Sequence, residues 1–317
     1  MWPVLAIAGA GYVLYKLFSS DEVKVTHESD CHEQFLGFNR TISISHEKRK
    51  NLQSAHNTIR TKLINYFEDR YHIPYIDFFI QGSYKMGTMV ENMDSFSDVD
   101  LGVYFNEKPS IAISTIQYHI KEALTGHTSK GVEIKKMCVR LNYVRDFHID
   151  LPIYYKDWNN TYFGCKQDGW QKSDPKDFIK WFQTQTKDKP QLVRVIRYLK
   201  AWADYRKHQT NKKYPSGLVL TLWAIEHYYE DERDDVAFTF TSDQILQYLN
   251  DKYQSEWEAK MPVAPYDDTL SRLSNNQKEY FYNDFKEMIE SASAVLEYDN
   301  QYSAILKWKN VFGNRFN

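Results

Sequence analysis

A chain of 317 residues is long enough for one large or two ordinary domains with a buried core. Its 40 basic and 42 acidic residues leave a net charge of -2, which excludes a global electrostatic pull toward long nucleic acid but leaves room for a local basic groove. Cys31, Cys138 and Cys165 are scattered, with no CxxC pair and no matched histidine spacing, which points to a reducing compartment and excludes a structural zinc site.

The chain opens on MWPVLAIAGAGYVLYKLFSS. Residues 2–15 are apolar; past Lys16, Leu17 and Phe18 extend the run to about 17 positions, near the lower limit for crossing a bilayer. No basic segment precedes it, as one would in a secretory signal. The run therefore predicts an uncleaved hydrophobic helix over 1–18 that anchors the body to the cytoplasmic face of the inner membrane. A helix buried against the protein or a partner is the other reading. Residues 19–42 are polar and mixed, and read as a linker. Over 43–70, Leu52, Ala55, Ile59, Leu63, Ile64 and Phe67 recur at helical spacing with charges between them, which predicts a long amphipathic helix. The basic run at its start, 46–50, reads as a solvated face.

The most informative stretch follows. IDFFI at 76–80 reads as an apolar strand, and Gly82 and Ser83 come next, opening a short helix. Glycine there permits close backbone approach, and a helix N-terminus offers free N–H groups to an anion. SDVDLGVYF then alternates at the two-residue period of a strand: Asp98, Asp100, Gly102 and Tyr104 face one way, Val99, Leu101, Val103 and Phe105 the other. Residues 111–124 predict a helix over the sheet. VEIKKMCVRLNYV, 132–144, leads through a turn at Arg145 and Asp146 into FHIDLPIYY, 147–155, as a hairpin. In that last strand Phe147, Ile149, Leu151 and Ile153 form the apolar face, leaving His148 and Asp150 on the other. Lys135 and Lys136 read as phosphate contacts or as solubilising charge.

Residues 156–176 are polar, turn-rich and without periodicity, and mark a lobe boundary between a sheet lobe at 43–165 and a helical lobe at 166–317. Helices are expected at 176–187, 190–208, 216–230, 242–253, 276–297 and 300–311. Lys200 lies on the second, and Ser216 at the N-terminus of the third. A lysine point charge and a helix-terminal hydroxyl suit a β- or γ-phosphate. Tyr198, Trp202 and Tyr214 read as core residues or base-stacking platforms. With aromatic residues at 16% of the chain, the core reading weighs more for any one of them.

If the two acidic strands are neighbours, Asp98, Asp100 and Asp150 converge on one spot. Carboxylates so placed repel one another, and a hard divalent cation relieves the repulsion. Mg²⁺ usually bridges a few carboxylates to substrate phosphates rather than sitting in an all-protein cage, and the Gly82–Ser83 turn is a phosphate cradle close by.

Gly82-Ser83, then Asp98-Val-Asp100, then a distant Asp150 on a strand, resembles the polymerase-β-type nucleotidyltransferase superfamily. The fuller pattern of QGSYKMGT, SDVDLGVYF and HIDLPIYY is similar to the bacterial relatives of cyclic GMP-AMP synthase, the second-messenger synthases of anti-phage signalling. The resemblance covers roughly residues 40–310, and implies an α+β fold with a polymerase-β-like sheet lobe and a helical lobe. It further implies metal ligation by Asp98, Asp100 and Asp150, with two Mg²⁺ ions or Mn²⁺ in their place. Gln81, Gly82, Ser83, Lys200 and Ser216 are then nucleotide contacts. Nucleoside triphosphates, ATP among them, are the expected substrates, and a downstream effector answers to the cyclic product. Two other readings are a template-free transferase that extends RNA, and a catalytically silent nucleotide sensor. The net charge weighs against the first, and the three retained carboxylates against the second.

Overall fold

The computed structural model describes residues 7–8, 11–15, 22–71, 76–94, 97–144 and 147–317. They fall into two compact units, one of residues 44–185 with 261–267, the other of residues 1–43, 186–260 and 268–317.

The second unit opens on strands β1 (Ile7–Ala8), β2 (Gly11–Tyr15) and β3 (Glu22–Thr26), which form a small antiparallel sheet. This corrects the expected N-terminal helix over the described part of that segment. Glycines at 9 and 11 each disfavour a helix by about 1 kcal/mol, and EVKVT supplies an alternating partner strand. Among the described residues no helix is long and apolar enough to cross a membrane. Residues 1–6, 9–10 and 16–18 of the expected anchor and residues 19–21 of the expected linker lie outside the described residues, as does the turn at 145–146.

Over its described residues, 22–42, the expected linker is likewise structured. After β3 comes helix α1 (His32–Ile42), whose Phe35, Phe38 and Ile42 are buried. Phe35 packs edge-on against Tyr198, Trp308, Phe312 and Phe316. These apolar positions are sparse among polar ones, so composition alone hid the helix. Later comes the all-helical part of this unit.

The first unit carries the sheet. Its elements are α2 (His46–Tyr71), β4 (Ile76–Gln81), α3 (Gly82–Met86), β5 (Ser97–Phe105), α4 (Ile113–Leu124), β6 (Val132–Ile134), β7 (Val139–Asn142), β8 (Phe147–Leu151), β9 (Ile153–Asp157), β10 (Asn160–Cys165), β11 (Gly169–Lys172) and α5 (Pro175–Gln185). The strand order is β11-β10-β9-β5-β8-β7-β6, with β4 antiparallel to β5. Only Pro152 separates β8 from β9, and both run parallel to β5, β8 along its first half and β9 along its second. Since β4 pairs with β5 from Asp100 to Phe105, it occupies the opposite edge.

One face of this sheet is dry. Val99, Leu101, Val103, Phe105, Val139, Leu141, Ile149, Leu151 and Ile153 pack against Leu52, Ala55, Ile59, Leu63 and Phe67 of α2 and Ile116, Ile120 and Leu124 of α4. Each such side chain contributes roughly 1.5–3 kcal/mol on burial. The alternation that puts them inside fixes the register, because a one-residue slip would bring Asp98 and Asp100 into that core.

The lobe boundary moves as well. Residues 160–172 form two more strands, and α5 packs on β4 and α3, so the sheet unit runs to residue 185. Strands of four to six residues joined by tight turns carry too little periodicity to stand out. Asp174 accepts from the Lys176 and Asp177 backbone N–H groups and caps α5. The helical unit continues with α6 (Pro190–Thr210), α7 (Gly217–Glu226), α8 (Asp234–Asn250), α9 (Asn275–Leu296) and α10 (Gln301–Phe312). Helix α8 begins eight residues before the expected 242, because its FTFT segment is buried on all sides and reads as a strand in sequence.

His56 lies on the buried stripe of α2, only 1% exposed, and neither ring nitrogen has a hydrogen-bond partner among the described residues. Burial, and then the nearby Arg60 charge, lower its pKa to about 4. An unfolded imidazole titrates near 6.5, so between about pH 6.5 and 4 the unfolded chain binds a proton that the folded one refuses, and stability is lost as pH falls. His56→Met removes that term. In urea titrations at pH 7 and 4.5, wild type is expected to lose roughly 2 kcal/mol more than the variant.

Candidate active site

The polar face of the sheet is built around Asp100. Strand pairing sets Gln81 opposite Asp100, Asp100 opposite Asp150, and Asp150 opposite Arg140, one row across β4, β5, β8 and β7. One step along β5, Asp98 pairs with His148. The three carboxylates named from sequence thus occupy adjacent positions on one face. Asp98 is exposed, while Asp100, His148 and Asp150 are partly buried.

Gly82 follows β4 with φ +67°, a left-handed conformation that L side chains rarely adopt. A Cβ there would lie 2.4 Å from Oδ2 of Asp100. Only glycine lets the chain fold over that carboxylate and into α3, where Ser83 sits in the first turn. Gly87, at φ 70°, ends the helix, and its N–H bonds back to the carbonyls of Ser83 and Tyr84.

Electrostatically the site is short of positive charge. Burial, and then Asp150 and Asp98, raise the pKa of Asp100 to about 6, with Arg140 opposing. Arg140 donates from Nε to Asp150 Oδ1 at 2.7 Å and from Nη2 to Asp150 Oδ2 at 2.8 Å, and its Nη2 lies 3.6 Å from Asp98 Oδ1. Among the described residues no group of three or more acidic, histidine or cysteine side chains is arranged to hold one ion. The donor set nevertheless fits a hard cation: carboxylate oxygens that repel one another, with Asp100 raised by burial and by that repulsion, under a glycine turn that no side chain fills. Nearby Cys138 is pushed up to about 12 by burial and Asp150, so its thiol stays protonated and is no nucleophile.

Arg140 escaped the sequence reading, which named Lys135 and Lys136 instead. Those lysines pair with Glu133 and Asp168 at the surface. The signal for Arg140 was present: counting back through the hairpin from Asp150 reaches it on the same face.

Gln81, expected at the nucleotide, is buried. Its Nε2 donates to the Tyr154 hydroxyl at 2.9 Å, and its Oε1 accepts from Tyr104 at 3.2 Å. The two tyrosine rings stack at 4.6 Å, and Gly102 leaves room for all three side chains, since a Cβ there would lie 2.6 Å from the Tyr104 ring and 2.8 Å from Gln81 Oε1. Its carboxamide is engaged by tyrosines, not presented to solvent.

In the helical unit the structure brings Lys200 and the start of α7 together. Ser216 is the N-cap, its Oγ accepting from the Val219 N–H at 3.4 Å. A Cβ on Gly217 would lie 3.6 Å from Lys200 Nζ. Burial, then Arg197, lower Lys200 to about 7. Tyr198, Trp202 and Tyr214 are buried: Tyr198 donates to Asp234 Oδ2 and to the Phe35 carbonyl, and Trp202 packs on Phe281 and Phe285. They are core residues rather than base platforms.

Residues 76–154 match the family model described as the nucleotidyltransferase domain of DncV-like cyclic GMP-AMP synthase. The chain is 32% identical over 188 residues to a cyclic GMP-AMP synthase of Escherichia albertii, covering 55% of this chain but only 42% of that relative. It is 22% identical over 306 residues to a cyclic AMP-AMP-AMP synthase of an Acinetobacter species, covering 90% of this chain and 84% of the relative. The crystal structure of Vibrio cholerae DncV cyclic AMP-GMP synthase with a linear pppA(3′,5′)pG intermediate has the same fold, with a TM-score of 0.77 at 17% identity, covering 91% of this chain and 96% of that one.

The two glycines give contrasting predictions. Gly82→Ala meets both a strained φ and a carboxylate held in the sheet, and should cost on the order of 2 kcal/mol. At Gly217 a Cβ would come 3.1 Å from Lys200 Cε, the far part of a flexible side chain, at a position without positive φ. Gly217→Ala should therefore change stability by less than about 1 kcal/mol. Denaturant midpoints of the two variants, measured side by side, check the contrast.

Proposed function

We propose that this chain, a DncV-like nucleotidyltransferase similar to bacterial cyclic GMP-AMP synthases, joins nucleoside triphosphates into a cyclic di- or oligonucleotide and releases pyrophosphate at each transfer. The observation that carries the reading is the in-register pairing of Asp100 with Asp150, one step from Asp98, beneath the Gly82 turn. In each transfer a ribose hydroxyl oxygen attacks an α-phosphorus. The new O–P bond replaces the bond to pyrophosphate, and the hydroxyl proton is lost. A second transfer within the linear product closes the ring.

Asp98, Asp100 and Asp150 would hold the divalent cations, two Mg²⁺ or Mn²⁺ in their place. Bound there, such ions lower the pKa of an attacking hydroxyl and offset charge on the leaving pyrophosphate. The remaining work belongs to the chain. Ser83 and the free N–H groups at the start of α3 bind phosphate beside the carboxylates. Lys200 and the Ser216 hydroxyl supply a further pair of phosphate contacts. Gln81 acts from beneath, holding Tyr104 and Tyr154 against the strand that carries Asp100.

ATP and GTP are bound in the Vibrio cholerae relative, and ATP in a fold neighbour from Escherichia coli, which supports ATP among the substrates here. The proposal includes an effector that answers to the product in anti-phage defence, and a cytoplasmic location, where the substrates are made. Association with the inner membrane through residues 2–18 now rests on their apolar composition alone. Fractionation of the full-length protein tests it, and recovery in the soluble fraction with the N-terminus intact rejects it.

Incubation with each labelled nucleoside triphosphate and with all four, plus Mg²⁺ or Mn²⁺, followed by phosphatase, tests the activity. The expected result is a small phosphatase-resistant species, reduced by at least about a thousandfold in Asp100→Asn. A ladder that appears only on added RNA would assign polymer extension instead.

Lys200 gives a pH signature. A phosphate contact needs the ammonium, which the free protein loses as pH rises through about 7. Affinity for a non-hydrolysable ATP analogue should therefore weaken above pH 7, by up to about tenfold per pH unit. Calorimetric titrations from pH 6.5 to 8.5 should show that slope in wild type and not in Lys200→Gln.

A further inference from the structure

The row that contains the carboxylates already contains a cation. Arg140 faces Asp150 across β7 and β8, and the backbone register of that hairpin fixes the pair. Its planar fork engages both Asp150 oxygens, at 2.7 and 2.8 Å, while Nη2 reaches to 3.6 Å from Asp98. Those are the lone pairs that an ion shared by Asp98, Asp100 and Asp150 would need.

We infer that Arg140 is a resident counter-ion, which offsets part of the carboxylate charge in the ion-free protein and must be displaced from Asp150 before a divalent cation can be held there. The inference rests on the reading of Asp98, Asp100 and Asp150 as ion ligands. A guanidinium remains charged at every working pH, so it cannot be removed by deprotonation and leaves only by exchange. The exchange is sterically accessible: the Arg140 side chain is 26% and that of Asp98 61% exposed, so the fork can swing toward solvent. Like charges set directly opposite in a sheet destabilise it, so a chain that placed Asp100 and Asp150 in register without Arg140 would depend on metal for its strand pairing. With Arg140 present the sheet is complete before any ion arrives. Metal binding is correspondingly weak until something else favours it, and a triphosphate would do so by adding anionic oxygen ligands and an alternative partner for the guanidinium.

Binding of Mn²⁺ alone, followed by electron paramagnetic resonance of the free ion, tests this without any turnover. Arg140→Gln is expected to bind Mn²⁺ at least about tenfold more tightly than wild type, because the ion no longer competes with the fork. In Arg140→Lys a single ammonium leaves one Asp150 oxygen open, so a smaller gain is expected. This variant carries the test should the glutamine variant fail to fold, and no gain in it then overturns the inference. Equal or weaker Mn²⁺ binding in folded Arg140→Gln, with binding in both proteins abolished by Asp100→Asn, overturns the role of Arg140 and leaves the ion site standing. Mn²⁺ bound by neither protein, even with a non-hydrolysable ATP analogue, or bound unchanged in Asp100→Asn, overturns the ion site itself.

Discussion

The structure of the sheet unit depends on one row of paired residues: Gln81, Asp100, Asp150, Arg140 and Glu133 stand opposite one another on five strands. Two carboxylates at strand spacing repel, and that repulsion adds to burial in raising the pKa of Asp100. The row is held by what flanks it. On one side Arg140 closes a bidentate pair with Asp150; on the other, Gly82 turns over Asp100 at a distance no other residue tolerates. The opposite face of the same strands is packed against α2 and α4, so these side chains cannot relax by slipping register.

A dry face and a charged face on the same strands divide the labour. Burial of Val99, Leu101, Val103, Ile149, Leu151 and Ile153 stabilises the sheet. That stability lets the polar face keep an arrangement that would not form by itself. Further along the same face, Tyr104, Tyr154, Phe79, Phe163 and Cys165 make a small apolar cluster, and Lys176 lies 4.6 Å over the Tyr104 ring. Gln81 links that cluster to the acidic row, which explains why a polar residue at the end of β4 is buried rather than offered to solvent.

The sequence made the acidic strands legible because a period of two, with aspartates on one phase and branched apolar residues on the other, has few other interpretations. The Gly-Ser turn, the amphipathic α2 and most later helices were legible for similar reasons. Other features depended on partners that no local window contains. Phe35 and Phe38 look isolated until Tyr198, Trp308 and Phe312 surround them. FTFT in α8 reads as strand because every side of that helix is buried. Strands β10 and β11 are short, and their pairing with one another supplies the order that periodicity does not. At the N-terminus, total hydrophobicity argued for a helix, whereas the alternation in EVKVT and its pairing with Gly11–Tyr15 argued for strands.

Charge placement separates the two phosphate-binding candidates by mechanism. Around Asp100 the chain has an excess of anions on exposed and half-buried positions, and one arginine that cannot lose its proton. Around Ser216 the cation is Lys200, buried, lowered to about 7 and so only partly protonated at pH 7, beside the N-terminus of α7. The first arrangement attracts a cation and resists it at the same time, through Arg140. The second is partly charged in the free protein, and on the proposed reading a bound anion would raise the lysine pKa, so that proton uptake and phosphate binding would be linked there. In the ligand-free protein, then, the first arrangement keeps an excess of negative charge that Arg140 only partly offsets, and the second holds a lysine whose charge depends on what binds beside it.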